Sequence, residues 1–204
     1  MNETKYNEVI LKIANLFRKL SIKSLTMDDI AHELGISKKT LYQYFENKED
    51  MVNKVVQFSL CKEKEEVERL FNHNENVVDQ LNNITKYIIH KNFSINPSVL
   101  FCLKKYYPLI WEKFNNQRKE LVLNLLHKNL LSGIKQEIYR KDLNYEITIL
   151  FFFFLLDIKT IELDKNWQHS DLEKMFNVAF LYHIRGISNP IGIEYAEKML
   201  FDNK

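Results

Sequence analysis

Breakers are scarce in this chain: four glycines and three prolines in 204 residues. That is too few to turn the many short strands of an all-β fold, so helices are expected. Cysteine is nearly absent too. Cys61 and Cys102 have no Cys-x-x-Cys spacing, which excludes a disulfide scaffold and reads as two buried free thiols in a reducing compartment. Charge of one sign is not in excess, with 29 basic and 27 acidic residues giving a net +2. A protein that coats nucleic acid is strongly basic, so any nucleic-acid contact here must come from a local patch. The longest apolar run is "ITILFFFFLL", 147–156, bounded by Glu146 and Asp157. It falls well short of the roughly 20 residues that span a bilayer. The polar start "MNETKYNEVI" lacks a signal-peptide apolar core. A cytoplasmic protein without a membrane segment is the expectation.

What is present points to a helical globular body. Hydrophobic residues make up 46% and charged residues 27%, ordinary values for a soluble chain long enough to bury a substantial core. Val9, Ile10, Ile13, Leu16, Phe17 and Leu20 follow the i, i+3, i+4, i+7 spacing of an amphipathic helix over 4–20. Thr26, with Asp28 and Asp29 in the next turn, reads as an N-cap followed by acids that favour the positive helix end. Gly35 ends that helix after about two turns. Ser37 caps the next one, which carries Leu41 and Phe45 on its inner face. A longer helix starts near Asn47 and runs to about 71. Further helices are expected over 77–93, from Pro97, over 108–132 with Gly133 beginning a loop, over 144–162, over 171–187 and from Pro190.

Two short helices joined by a tight glycine turn are the signature of a helix-turn-helix. Each position in this one has a physical task. Ala31 is small where the second helix crosses, and Gly35 makes the turn without strain. Ile30, Leu34, Ile36 and Leu41 wedge the two helices at a fixed angle. On a wheel anchored at Leu41 and Phe45, Lys39 and Gln43 point away from the core, flanked by Thr40 and Tyr42. This is the layout of a recognition helix in the major groove, with base readers central and phosphate contacts at the edges. Gln43 suits an adenine edge and Lys39 the O6 and N7 of guanine. Lys48 adds charge at a helix start that already favours an anion. Lys38 and Thr26 are placed for neighbouring phosphates.

The stretch "ANLFRKLSIKSLTMDDIAHELGISKKTLYQYFENKEDM" resembles the N-terminal module of the TetR family of bacterial transcriptional repressors, over residues about 8–51. The resemblance implies an all-helical homodimer with a three-helix DNA-binding head and a larger helical body for ligand binding and dimerisation. It implies DNA contacts at Thr26, Ser37, Lys38, Lys39, Thr40, Tyr42, Tyr44 and Lys48. Ser21 stands where the family often has glycine. Lys39 stands where many members have a small residue, so the bases read cannot be borrowed from a relative.

Beyond the motif, a helix apolar all round, as 147–156 is, must be covered all round. A second copy of the chain is the partner expected, giving a two-fold interface through helices 144–162 and 171–187. Leu172, Met175, Phe176, Ala179, Phe180, Tyr182 and His183 supply the share of the later helix. The middle holds Phe93, Phe101, Tyr106, Tyr107, Trp111 and Phe114. Aromatic walls with a few polar tips suit a pocket for a small hydrophobic or amphipathic effector. Tyr107, Trp111 and His90 are its candidate contacts, because their polar atoms want partners. The six histidines, 32, 73, 90, 127, 169 and 183, never pair at i, i+4, and no phosphate loop or nucleophile elbow occurs. No enzyme, metal or cofactor is expected.

The sequence therefore reads as an all-α protein with a helix-turn-helix DNA-binding domain, 1–47, and a helical effector-binding and dimerisation domain, 48–204. Its expected function is a ligand-responsive repressor on a near-palindromic double-stranded operator. The alternatives are an activator on the same scaffold, or a helical small-molecule-binding or interaction protein whose DNA contacts no longer matter. The latter rival draws on residues 1–60, where nine Lys and Arg face eight Asp and Glu.

Overall fold

The computed structural model describes residues 3–70, 75–94, 96–156 and 169–201, with the side chains of 3, 70, 92–94 and 169–173 set aside. Ten helices are described: α1 Glu3–Lys19, α2 Met27–Glu33, α3 Lys38–Tyr44, α4 Lys48–Leu70, α5 Val77–Ser94, α6 Pro97–Tyr106, α7 Pro108–Lys135, α8 Tyr145–Leu156, α9 His169–Ile187 and α10 Pro190–Phe201. The all-α expectation holds. Among the described residues there is no strand, and one isolated bridge pairs Tyr139 with Ser188. The Phe93 and Leu172 side chains, and residues 157–162 of the helix expected over 144–162, lie outside the described residues.

The chain divides into two compact units, Met1–Glu66 with Lys91–Lys119, and Val67–His90 with Glu120–Lys204. In the first, Ile10, Ile13 and Phe17 of α1 close on Ile30, Leu41, Phe45, Met51 and Val52, and Leu103 of α6 and Ile110 of α7 complete the core. Fully burying such a side chain stabilises the fold by roughly 1.5–3 kcal/mol. At the start of α6 Asn96 acts twice. Its Oδ1 accepts from the Ser98 N–H at 2.8 Å, and its Nδ2 donates to the Arg18 carbonyl at 2.9 Å. Pro97 follows at the first helical position, where its missing N–H costs nothing.

The second unit packs Val77, Leu81 and Ile84 against Leu126, Leu130, Phe152, Phe180 and Ile184. Two of its buried polar side chains bond each other and the backbone. Asn129 Nδ2 donates to the Val77 carbonyl at 2.8 Å, and the Tyr139 hydroxyl lies 3.1 Å from Asn129 Oδ1. Burial drives the Tyr139 pKa upward.

Three expectations are corrected. Gly133 does not begin a loop, because α7 runs through it to Lys135. A Cβ there would stand 2.0 Å from the Tyr139 ring, so this glycine serves close packing. The left-handed residue that turns the chain after α7 is Glu137, at φ 57°. Cys102 is buried, but Cys61 is exposed on α4. Among the described residues of its own unit, α8 buries Phe152 and Leu156 and leaves Ile147, Leu150, Phe151 and Phe154 exposed, so the side expected to meet a partner copy is not covered by them. Finally, Phe176, Phe180 and His183 of α9 are buried inside their own unit, whereas Tyr182 is 69% exposed.

Candidate nucleic-acid interface

The helix pair α2–α3 is fixed at both ends by its own sequence. Thr26 takes extended backbone angles and caps α2 with a reciprocal box. Its Oγ1 accepts from the Asp29 N–H at 3.1 Å, and the Asp29 carboxylate accepts from the Thr26 N–H at 2.8 Å. The hydrogen bonds from Thr26 hold the Asp29 carboxyl below the usual carboxylate range. At the other end Gly35 takes φ +65°, a conformation L side chains rarely adopt. The turn is closed by the Gly35 N–H donating to the His32 carbonyl and the Ile36 N–H to the Ala31 carbonyl, both at 3.0 Å. Ser37 then caps α3 by accepting from the Thr40 N–H at 3.0 Å.

Core packing decides which face of α3 turns outward. Leu41 is 0% exposed and Phe45 1%, and they lie in one core with Ile30 and Ala31 of α2. A helix anchored there must present the opposite face to solvent. Lys39, Tyr42 and Gln43 are exposed on it, with Lys39 and Gln43 one turn apart. Three side chains of one short helix therefore stand exposed together, and all three were legible in sequence.

The other expected contacts are engaged within the protein. Lys38 is exposed but bonds Asp28 at 2.8 Å, which raises its pKa. The Ser37 and Thr40 hydroxyls lie 2.8 Å apart. The Thr26 hydroxyl donates to Asp29 at 2.7 Å. Tyr44 is half-buried, its ring 5.9 Å from that of Tyr6, and its carbonyl accepts from Lys54 at 3.0 Å. Lys48, at the start of α4, donates to the Lys23 carbonyl at 3.3 Å, and its partial burial lowers its pKa. A long-range contact of this kind leaves no mark on local sequence.

The first unit also holds a cavity of about 250 Å³. Phe17, Ile22, Val55, Leu103, Trp111 and Phe114 form much of its wall, and Glu63 and Arg118 reach it as an ion pair at 2.8 Å. Of the three candidate effector contacts, Trp111 lines it. Tyr107 does not: it caps the end of α6, half-buried, and burial raises its pKa. His90 is exposed in the second unit. The pocket's polar pair was not visible in sequence, because Glu63 and Arg118 are 55 residues apart. Among the described residues no group of His, Cys, Asp or Glu is placed to hold a metal ion, and no helix is long and apolar enough to cross a membrane.

Comparison with known proteins points the same way as this geometry. The profile of the family described as bacterial regulatory proteins, tetR family, matches residues 10–55. An uncharacterized HTH-type transcriptional regulator of Bacillus subtilis (strain 168), YvaF, is 32% identical over 123 residues, 57% of this chain. The match spans 64% of that relative's length. Among solved structures, a TetR/AcrR-family transcriptional regulator from Thermobifida fusca superposes with a TM-score of 0.66 at 15% identity, covering 90% of this chain and 98% of that one. AibR, solved with isovaleryl coenzyme A and operator DNA, superposes with a TM-score of 0.56 at 13% identity, covering 86% and 95%. At such identities the likeness is one of fold.

Proposed function

We propose that the chain is a member of the tetR family of bacterial regulatory proteins, as the match over residues 10–55 and the similarity to YvaF support, and that it is a transcriptional repressor, binding a near-palindromic operator as a homodimer and released by a small effector. The observation that carries the reading is the outward face of α3, where Lys39, Tyr42 and Gln43 stand exposed over a fully buried Leu41. Lys39 and Gln43 read base edges. Tyr42, Thr40, Tyr44, Ser37, Lys38, Thr26 and Lys48 form the surrounding backbone contacts. Lys38 must exchange Asp28 for a phosphate, a cheap step between exposed groups. Residues 1–47 are the DNA-binding domain and 48–204 the effector and dimerisation domain. The protein is a regulator and not an enzyme.

Two further features support the reading. The exposed residues Ile147, Leu150, Phe151 and Phe154 recur at i, i+3, i+4, i+7, an apolar stripe on α8 of the kind that marks an interaction surface. With Val178 and Tyr182 of α9, 53% and 69% exposed, it is the contact for a partner copy. Two recognition helices in such a dimer enter major grooves roughly 34–36 Å apart. The cavity beside Trp111 suits the effector, a small amphipathic molecule, as its apolar wall and the Glu63–Arg118 pair indicate. AibR, solved with isovaleryl coenzyme A and operator DNA, is a precedent for both partners on this fold. Release follows if the effector prefers the conformer whose α3 helices no longer match the half-sites.

The test is retention of genomic fragments by purified protein, with Lys39→Ala/Gln43→Ala alongside. The wild type is expected to enrich a short inverted repeat that the double variant loses. Equal retention of the same fragments by both, with the same steep salt dependence, would mean contact with phosphate alone and would overturn the reading.

A further inference from the structure

At the end of α6 several lysines stand over aromatic rings. Lys105 lies 5.3 Å from the centroid of Phe101 and 5.6 Å from that of Tyr106. Lys104 stands 5.3 Å from the Trp111 ring. Lys23, from the turn between α1 and α2, lies 4.7 Å from the Tyr106 ring centroid and donates to its hydroxyl at 3.1 Å. Cations in the last turn of a helix favour its negative end, and that alone explains one or two of them. It does not explain Lys23, which comes from a different segment 83 residues away.

Charge pairing separates these lysines from some of those on the surface. Lys38, Lys54, Lys62, Lys141 and Lys198 each hold a carboxylate within 3.0 Å. Among the described residues, Lys23, Lys104 and Lys105 hold none. All three are exposed, as is Tyr106. The cluster is also continuous with the face described above. Lys48, three residues beyond the cap of α3, donates to the carbonyl of Lys23, and Lys23 in turn reaches Tyr106. A line of cations therefore leads from α3 through Lys48 and Lys23 to Lys105.

We propose that Lys23, Lys105 and Tyr106 form a further phosphate-binding element, which holds the backbone of the operator outside the groove entered by α3. The inference rests on the DNA-binding reading and adds to it a contact supplied by α6. The partner follows from the chemistry. Ammonium groups held over aromatic rings with no carboxylate among their described partners, and a phenolic hydroxyl beside them, suit a phosphate oxygen. Such contacts fix orientation on the duplex and carry no sequence information.

The experiment measures binding of wild type, Lys23→Ala, Lys105→Ala, their double variant and Tyr106→Phe to the enriched fragment and to an unrelated duplex, across salt concentrations. Lys128→Ala, an exposed lysine of the second unit, controls for net charge. Each of the two lysine substitutions is expected to lower the slope of log affinity against log salt by about one per protomer. Both duplexes should weaken equally, Lys128→Ala should leave the slope alone, and Tyr106→Phe should weaken binding less than either lysine variant. Unchanged slopes in the double variant, with Lys39→Ala/Gln43→Ala still abolishing specific binding, would overturn this inference and leave the function standing. An equal loss in Lys128→Ala would overturn it as well, as a mere charge effect. If the wild type retains no DNA, both readings fall together.

Discussion

At the scale of single residues, a capping threonine, a buried histidine and a nearly buried ion pair carry more than their neighbours. Thr26 satisfies one helix-end donor with its hydroxyl and positions Asp29 to satisfy another. Thr26→Ala should cost about 1 kcal/mol, read as a lower denaturant midpoint with an unchanged m-value. His183 is buried, stacked on Phe152 with ring centroids 3.9 Å apart, and burial pushes its pKa down to about 3. The folded state therefore resists a proton that the unfolded chain takes up near the ordinary value of 6.5. Stability is intact above pH 6.5 and is lost as pH falls from there toward 3, by up to roughly 1 kcal/mol per pH unit. His183→Phe should flatten this limb in thermal melts between about pH 7 and pH 5. An equal decline in both proteins would place the acid sensitivity elsewhere. Arg118 and Glu63 are 12% and 11% exposed, so Arg118→Ala removes the cation paired with a nearly buried carboxylate and should destabilise by up to about 3–5 kcal/mol.

At the scale of elements, two glycines do different work. Gly35 sits at φ +65° with nothing within 4 Å of an added Cβ. Gly35→Ala therefore carries only the left-handed backbone penalty, about 1–2 kcal/mol, and Gly35→Asn should recover part of it. Gly133 is the reverse, a helical residue whose missing side chain makes room for Tyr139. Its substitution by Ala forces the ring aside and should cost at least the roughly 1–3 kcal/mol typical of overpacking. Equilibrium unfolding of both variants distinguishes the cases: Tyr139→Leu should soften the Gly133→Ala defect and leave that of Gly35→Ala untouched. Gly35 was recognisable from its place between two short periodic runs. Gly133 had the local pattern of a turn, because the ring that requires it lies past the end of its helix.

At the scale of the whole molecule, the proposed assembly rests on the stripe on α8. Ile147, Leu150, Phe151 and Phe154 are 65%, 44%, 58% and 69% exposed, an arrangement that costs solubility unless another surface covers it. Phe151→Glu/Phe154→Glu should leave helicity intact, because neither side chain is in the core, and should halve the sedimenting mass. A double variant that keeps the wild-type mass would move the dimer contact elsewhere. Loss of the dimer should also weaken operator binding sharply, since each half-site then binds alone.

Local pattern by itself determined the helical class, the capped helix pair, and the face of α3 turned outward. Caps, glycine turns and the 3.6-residue period act within a few residues, so composition and spacing are enough to place Lys39, Tyr42 and Gln43. The sequence also showed that 147–156 is too apolar for solvent, but not which of its sides the chain itself would cover. Burial of Phe176, Phe180 and His183, exposure of Cys61, the meeting of Glu63 with Arg118 and of Lys23 with Tyr106 were decided only by tertiary packing. Each depends on a neighbour tens of residues distant or on which side of a helix the core happens to fill. No periodicity records that choice, because packing selects among faces that local propensity leaves equivalent.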